Sequence, residues 1–134
     1  MLKSLRPSPE WILRVSLGVM YLYSGFDIMA RPDIWEGFIP DWLYNGLGSD
    51  ATVSLFLKAQ GAIELGIALL FLAWFLGKWG VRLAAMLAAV EMALILVLLG
   101  VDSVTFRDIG LLGAALALFQ LSTEPKPTPE NATS

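Results

Sequence analysis

Apolar residues run almost without a break through four stretches of this chain, 11–30, 53–76, 81–99 and 105–121. Crossing the hydrocarbon core takes about 20 predominantly apolar residues, with about 17 as the lower limit. In lipid the backbone must satisfy its own hydrogen bonds, and single runs of this length do so as helices. Composition agrees. Apolar residues make up 57%, charged residues 16%, and the mean hydropathy is +0.68. A soluble domain has about 45–50% and about 25%. The expected fold is an all-α membrane protein, an up-and-down bundle of four transmembrane helices. The 134 residues make one domain at 11–121, preceded by a polar lead-in at 1–10. A polar, proline-rich tail at 122–134 is expected to be disordered.

There is no Cys and no His. This excludes disulfides, thiolate nucleophiles, thiol redox pairs and cysteine-ligated clusters, and it removes the commonest haem and zinc ligand. No metal site is expected. The net charge of −3 argues against nucleic-acid binding, which needs a basic surface.

Lys3, Arg6, Arg14, Lys78, Arg82 and Lys126 fall on one side of the predicted membrane, against Arg31, Lys58 and Arg107 on the other. The positive-inside rule then puts both termini in the cytoplasm of a bacterial inner membrane. Arg14 and Arg82 read as anchors that snorkel to the headgroups. Arg14, and Ile28 ahead of Ala30, argue against a cleaved signal peptide over the first stretch. The connection 31–52 faces outside and holds Trp35, Phe38, Trp42 and Tyr44. Amphipathic aromatics collect at membrane–water boundaries, so it is expected to be an interfacial segment anchored by Trp35, Trp42 and Tyr44. If it is helical, the spacing of the two tryptophans puts both on one face.

A charge at the bilayer centre costs about 2.5–3.5 kcal/mol, so each one needs a reason. Glu64 lies about ten residues into the second helix, and Glu91 about ten from the outer end of the third, roughly 15 Å deep in both cases. Gln60 sits one turn above Glu64 on the same face. Arg107 and Asp108 open the fourth helix, and Arg107 is expected to reach toward the acids. The candidate polar pocket is therefore Gln60, Glu64, Glu91, Arg107 and Asp108, with Asp27 and Lys58 at its periphery. It reads in two ways. Polar bridges of about 0.6 kcal/mol each can simply hold the bundle together. Alternatively, the pocket opens to the outer face and binds a polar headgroup or moves a proton. Asp108 alone also suits a first-turn position beside the helix dipole. Small-residue pairs at Ala84/Ala88, Ala85/Ala89, Ala89/Ala93, Gly110/Ala114 and Gly113/Ala117 predict packing faces, as do Gly18 and Gly25.

The first helix carries Arg14-x-x-x-Gly18 and Ser24-Gly25, and the second carries Gly61-x-x-Glu64-x-x-x-Ala68. A Gly77 link and Arg82-Leu-Ala-Ala follow, and the fourth helix opens with Arg107-Asp108-Ile-Gly-Leu-Leu-Gly. Over 11–121 this pattern resembles the DoxX family of small four-helix bacterial membrane proteins, related to thiosulfate:quinone oxidoreductase small subunits. The resemblance implies a small or accessory subunit of a quinone-linked or thiol- and oxidative-stress redox complex. A quinone would then be the cofactor and a redox enzyme the partner. Phe26-Asp27-Ile28 stands where the family often has a basic residue, which disfavours an anion site there. Without Cys, His or a flavin motif the chain is not expected to be catalytic alone, and no intrinsic cofactor is expected. The alternatives are a small proton-coupled transporter, working as a homo-oligomer with Glu64 and Glu91 as proton sites, and a structural or assembly protein with no ligand.

Overall fold

The structure is a computed structural model and describes residues 7–125. The expected features at 1–6 and 126–134, with Lys3, Arg6 and Lys126 of the charge argument, lie outside the described residues.

The described residues form α1 (Pro9–Ala30), α2 (Pro32–Glu36), α3 (Asp41–Leu47), α4 (Asp50–Leu72), α5 (Gly77–Leu99) and α6 (Phe106–Thr123), with a 3₁₀ turn at Trp74–Leu76. The fold is all-helical. Three segments are long and apolar enough to cross a membrane: Pro9–Ala30, Asp50–Leu72 and Trp74–Leu99. α6 is not among them; Arg107, Asp108 and Gln120 lower its hydropathy.

Local chemistry sets the boundaries. The Ser8 hydroxyl accepts from the Trp11 N–H at 3.3 Å, and Ser49 accepts from Thr52 at 3.3 Å, capping α1 and α4. Gly100 stops α5 at φ 79°, a left-handed conformation that costs other residues free energy. The second helix ends four residues earlier than expected. Ala73 leaves helical dihedrals, and Gly77 turns the chain at φ 60°. The reversal is therefore at 73–76, and the expected link at 77–80 is the first turn of α5.

α1 lies along α4 and α5 along α6, with α4–α5 and α1–α6 contacts closing the ring. Tyr21, Ala68, Phe71, Val81, Ala88 and Leu118 lie in the core. A smaller cluster of Ile28, Val53 and Leu57, covered by Trp35, Ile39 and Tyr44, closes one end. The outward faces carry Val19, Leu55, Ile63, Leu69 and Val97, which suit contact with lipid. All five tryptophans sit at helix ends: Trp11, Trp74 and Trp79 at one end of the bundle, Trp35 and Trp42 at the other.

The small residues divide. A Cβ added to Gly25 would lie 2.7 Å from the Gly61 carbonyl oxygen, and one on Gly61 would lie 2.8 Å from that of Gly25. α1 and α4 thus touch backbone to backbone. Ala84, Ala85 and Ala88 are fully buried. Gly110 and Gly113 face open space instead, contrary to the packing role expected of them. α6 buries Ala115, Leu118 and Ser122, and the glycines fall on its other flank.

Arg14 does not snorkel. It is 5% exposed, donates through Nε to the Phe71 carbonyl and through Nη2 to that of Ala73 at 2.8 Å, and stacks 4.8 Å from the Trp11 ring. The reason is the early end of α4, which leaves orphan carbonyls beside α1. At the same end of the bundle Arg82 Nε donates to the Ser122 carbonyl at 2.9 Å and Lys78 to that of Glu124 at 3.3 Å, capping α6.

Candidate functional site

The Gly25–Gly61 crossing brings the polar residues beside it together. α1 supplies Tyr21 and Ser24, α4 supplies Gln60 and Glu64 at i and i+4, and α5 supplies Glu91. Glu64 is 6% exposed and Tyr21 is 1% exposed. Ser24 and Gln60 lie against the Glu64 carboxyl. Gln60 Nε2 donates to Glu91 Oε1 and bridges α4 to α5. The Tyr21 hydroxyl faces the Glu91 carboxyl. Three buried atoms meet no hydrogen-bond partner: Tyr21 Oη, Glu64 Oε2 and Glu91 Oε2. Such atoms are rare, because leaving one unpaired costs about 1–3 kcal/mol. Asp108, half-buried in the first turn of α6, acts electrostatically on Tyr21, Glu64 and Glu91.

Among the described residues no Lys or Arg forms an ion pair with Glu64, Glu91 or Asp108. Arg107 is the correction. It is exposed, and its Nε donates to the Val104 carbonyl at 3.2 Å. From the first turn of a helix a long side chain can reach back over the preceding loop, and here that carbonyl is the nearer partner. The acids are therefore left without a cation. Two buried carboxylates repel each other and lose solvation, and a proton or cation held between them relieves both costs. Among the described residues no three His, Cys, Asp or Glu side chains stand together as a metal site.

The peripheral residues stay out of this cluster. Lys58 is exposed. Asp27 pairs with Arg31 and accepts from Trp35 Nε1 at 2.9 Å, which ties α2 to the end of α1. Pairing with Asp27 raises the Arg31 guanidinium further above its ordinary value. Trp35 is half-buried and packs on Phe38 with ring centroids 5.7 Å apart, whereas Trp42 is 55% exposed. Their spacing does not give one face, because α2 stops at Glu36 and α3 starts after Pro40. Tyr44 donates to the Asp50 carboxylate, which pushes the phenol above its ordinary value. At the α5–α6 turn Asp102 Oδ1 accepts from the Thr105 N–H at 2.8 Å and the Val104 N–H at 2.7 Å, holding that carboxyl below the usual range. The Thr105 hydroxyl donates to the Gly100 carbonyl at 2.7 Å.

Sequence reasoning missed Tyr21 and Ser24. The signal was their register: with Gly25 and Ile28 they form one stripe along α1, and that stripe faces α4.

Comparison with known proteins finds no matching family model, no matching curated sequence and no matching solved structure.

Proposed function

We propose that this chain is a four-span, DoxX-like membrane protein and that its Glu64–Glu91 pair binds and releases protons in a small proton-coupled carrier. Four spans are supported by the ring: α6 packs along α5 and against α1, and the other three members are each able to cross. Lys78 and Arg82 beside the α4–α5 reversal support a cytoplasmic placing of that end in a bacterial inner membrane. The observation that carries the proton reading is the pair itself, a buried Glu64 and a half-buried Glu91, each with one buried partnerless oxygen and neither with a paired cation among the described residues. Carrier action at such a site is completed by a second copy of the chain, since four helices seldom enclose a path.

Infrared titration of the full chain in lipid tests this reading. A protonated-carboxyl band should fade as pH rises, and part of it should be missing in Glu64→Gln and part in Glu91→Gln. Variants that titrate identically to the wild type would return the pair to a purely structural or assembly role.

One observation favours a second reading, a subunit of a quinone-linked complex. The three partnerless atoms fit the oxygens of a quinone head: Tyr21 Oη can donate to a head carbonyl, and Glu64 and Glu91 can hold protons beside it. A bound quinone supplies two-electron redox chemistry, with electrons from a partner enzyme, because this chain has neither Cys nor His. Arg107, turned outward, adds nothing to that fit. Quinone that co-purifies from native membrane with the wild type and is lost in Glu64→Gln would favour this reading over the carrier.

A further inference from the structure

We propose that Tyr21, Ser24, Gln60, Glu64 and Glu91 form a site for a small monovalent cation, sodium, which exchanges with a proton. The proposal rests on the carrier reading and names its second ion. Its donor atoms are carboxyl, hydroxyl and amide groups, the oxygen-rich set that hard cations take. The thiolate and imidazole ligands of Cys and His, which select transition metals, are absent from the whole chain.

Two observations support a cation that exchanges with a proton. The first is the number of partnerless atoms. A proton shared between two carboxyls joins two oxygens and leaves the acceptor lone pairs of the Tyr21 hydroxyl, which faces Glu91, unused. A cation among Tyr21 Oη, Glu64 Oε2 and Glu91 Oε2 answers all three. Gln60 engages Oε1 of Glu91, so Oε2 is the oxygen left to bind. The second is charge. The pair carries two negative charges when ionised, and either two protons or one proton and one monovalent cation bring it to zero. The two ions therefore interchange at constant net charge, which a low-dielectric site requires. A divalent ion would need both acids bare.

The groups facing the pair are Tyr21 and Ser24 from α1, Gln60 from α4 and, from α6, Asp108 acting electrostatically. Asp108 adds attraction for a cation and repels anions. The backbone contact at Gly25–Gly61 holds α1 and α4 close together beside the site, which suits sodium, the smaller ion, better than potassium.

The test uses a hydrophobic carbodiimide, which modifies protonated carboxyls in apolar surroundings. The full chain in detergent is treated across a pH series in sodium chloride, potassium chloride or choline chloride at equal ionic strength, and modification of Glu64 and Glu91 is followed by peptide mass. Sodium should slow modification several-fold relative to choline, more at high pH than at low, with potassium weaker. Tyr21→Phe should need more sodium than the wild type for the same fractional protection, each measured against its own rate in choline. Equal rates in sodium and choline at every pH overturn the cation site. If those rates still fall with rising pH, the proton pair stands without it. If they are also independent of pH, both readings fail.

Discussion

α1 meets α4 through glycine, and α5 meets α6 through alanine. At the first seam the backbones touch at Gly25 and Gly61, and no Cβ fits between them. On the second pair, Ala84, Ala85 and Ala88 are fully buried in the same apolar core cluster as Ala115 and Leu118. The polar cluster has members at the glycine seam. When two helices approach that closely, the side chains flanking the contact are pressed together, and Ser24, Gln60 and Glu64 flank it. The alanine seam keeps its helices a methyl group apart, and its polar contacts, Arg82 to the Ser122 carbonyl and Lys78 to that of Glu124, lie at its end. α6 adds a control of its own: Gly110 and Gly113 look like packing glycines in sequence and face open space in the fold. A small residue marks a contact only where a second backbone arrives.

The sharpest way to break this contrast is to add one methyl group on each side of it. Gly25→Ala and Gly61→Ala each force a Cβ against backbone, and overpacking of this kind costs about 1–3 kcal/mol or more. The melting temperature in detergent should fall clearly for both. Gly113→Ala should stay within about 0.5 kcal/mol of wild type. Equal losses at Gly25 and Gly113 would end the contrast and put a partner on the outer face of α6.

Next in size is Arg14→Ala. It strips the Phe71 and Ala73 carbonyls of their donor at the end of the glycine seam, a loss of about 1–3 kcal/mol. Arg82→Ala, at the exposed end of the alanine seam, should cost less. Thermal unfolding of the two variants side by side checks the order, and a larger loss for Arg82→Ala would reverse it.

The smallest effect belongs to the α5–α6 turn. Asp102 is held below its ordinary value by the Thr105 and Val104 amides. Its ionised form therefore stabilises the turn fully above the unfolded value of about 3.9, and this is lost as pH falls through the lower folded value. The Thr105 amide resonance should titrate with a midpoint below that of a free Asp. In Asp102→Asn, which keeps an acceptor oxygen and loses the proton, it should be flat. A wild-type midpoint at or above the ordinary value would show that the cap does not favour the ionised carboxylate.

Much of this was legible in the sequence, and the rest turns on partner positions. Glu64 and Glu91 could be placed at one depth by counting along antiparallel helices, because rise per residue is a local property. The apolar lengths of α1, α4 and α5 were readable for the same reason. Arg107 was misjudged because two partners lay within reach of one flexible side chain, and only the fold shows which is nearer. Arg14 was misjudged because its role depends on where α4 stops. Tyr21 was overlooked because it is one of four aromatics on α1, and only its register with Ser24, Gly25 and Ile28 sets it apart from Trp11, Tyr23 and Phe26.

The Arg14 cap also has a history in time. Its acceptors lie 57 and 59 residues further along the chain. At about 5–20 residues per second they emerge from the ribosome roughly 3–12 s after it does. On the four-span reading proposed above, the first helix stands in the bilayer for that interval with a guanidinium and no carbonyl to bind, and it has the lowest hydropathy of the three segments able to cross, 1.2 against 1.7 and 2.3. The nascent helix must hold Arg14 at the headgroups, the very posture its sequence advertises. Arrival of α4 then draws the charge inward and fastens the earliest helix to a later one. On that reading snorkelling belongs to the growing chain and the buried cap to the folded one, so a truncation ending before Phe71 should leave α1 shallower in the membrane than it sits in the full chain.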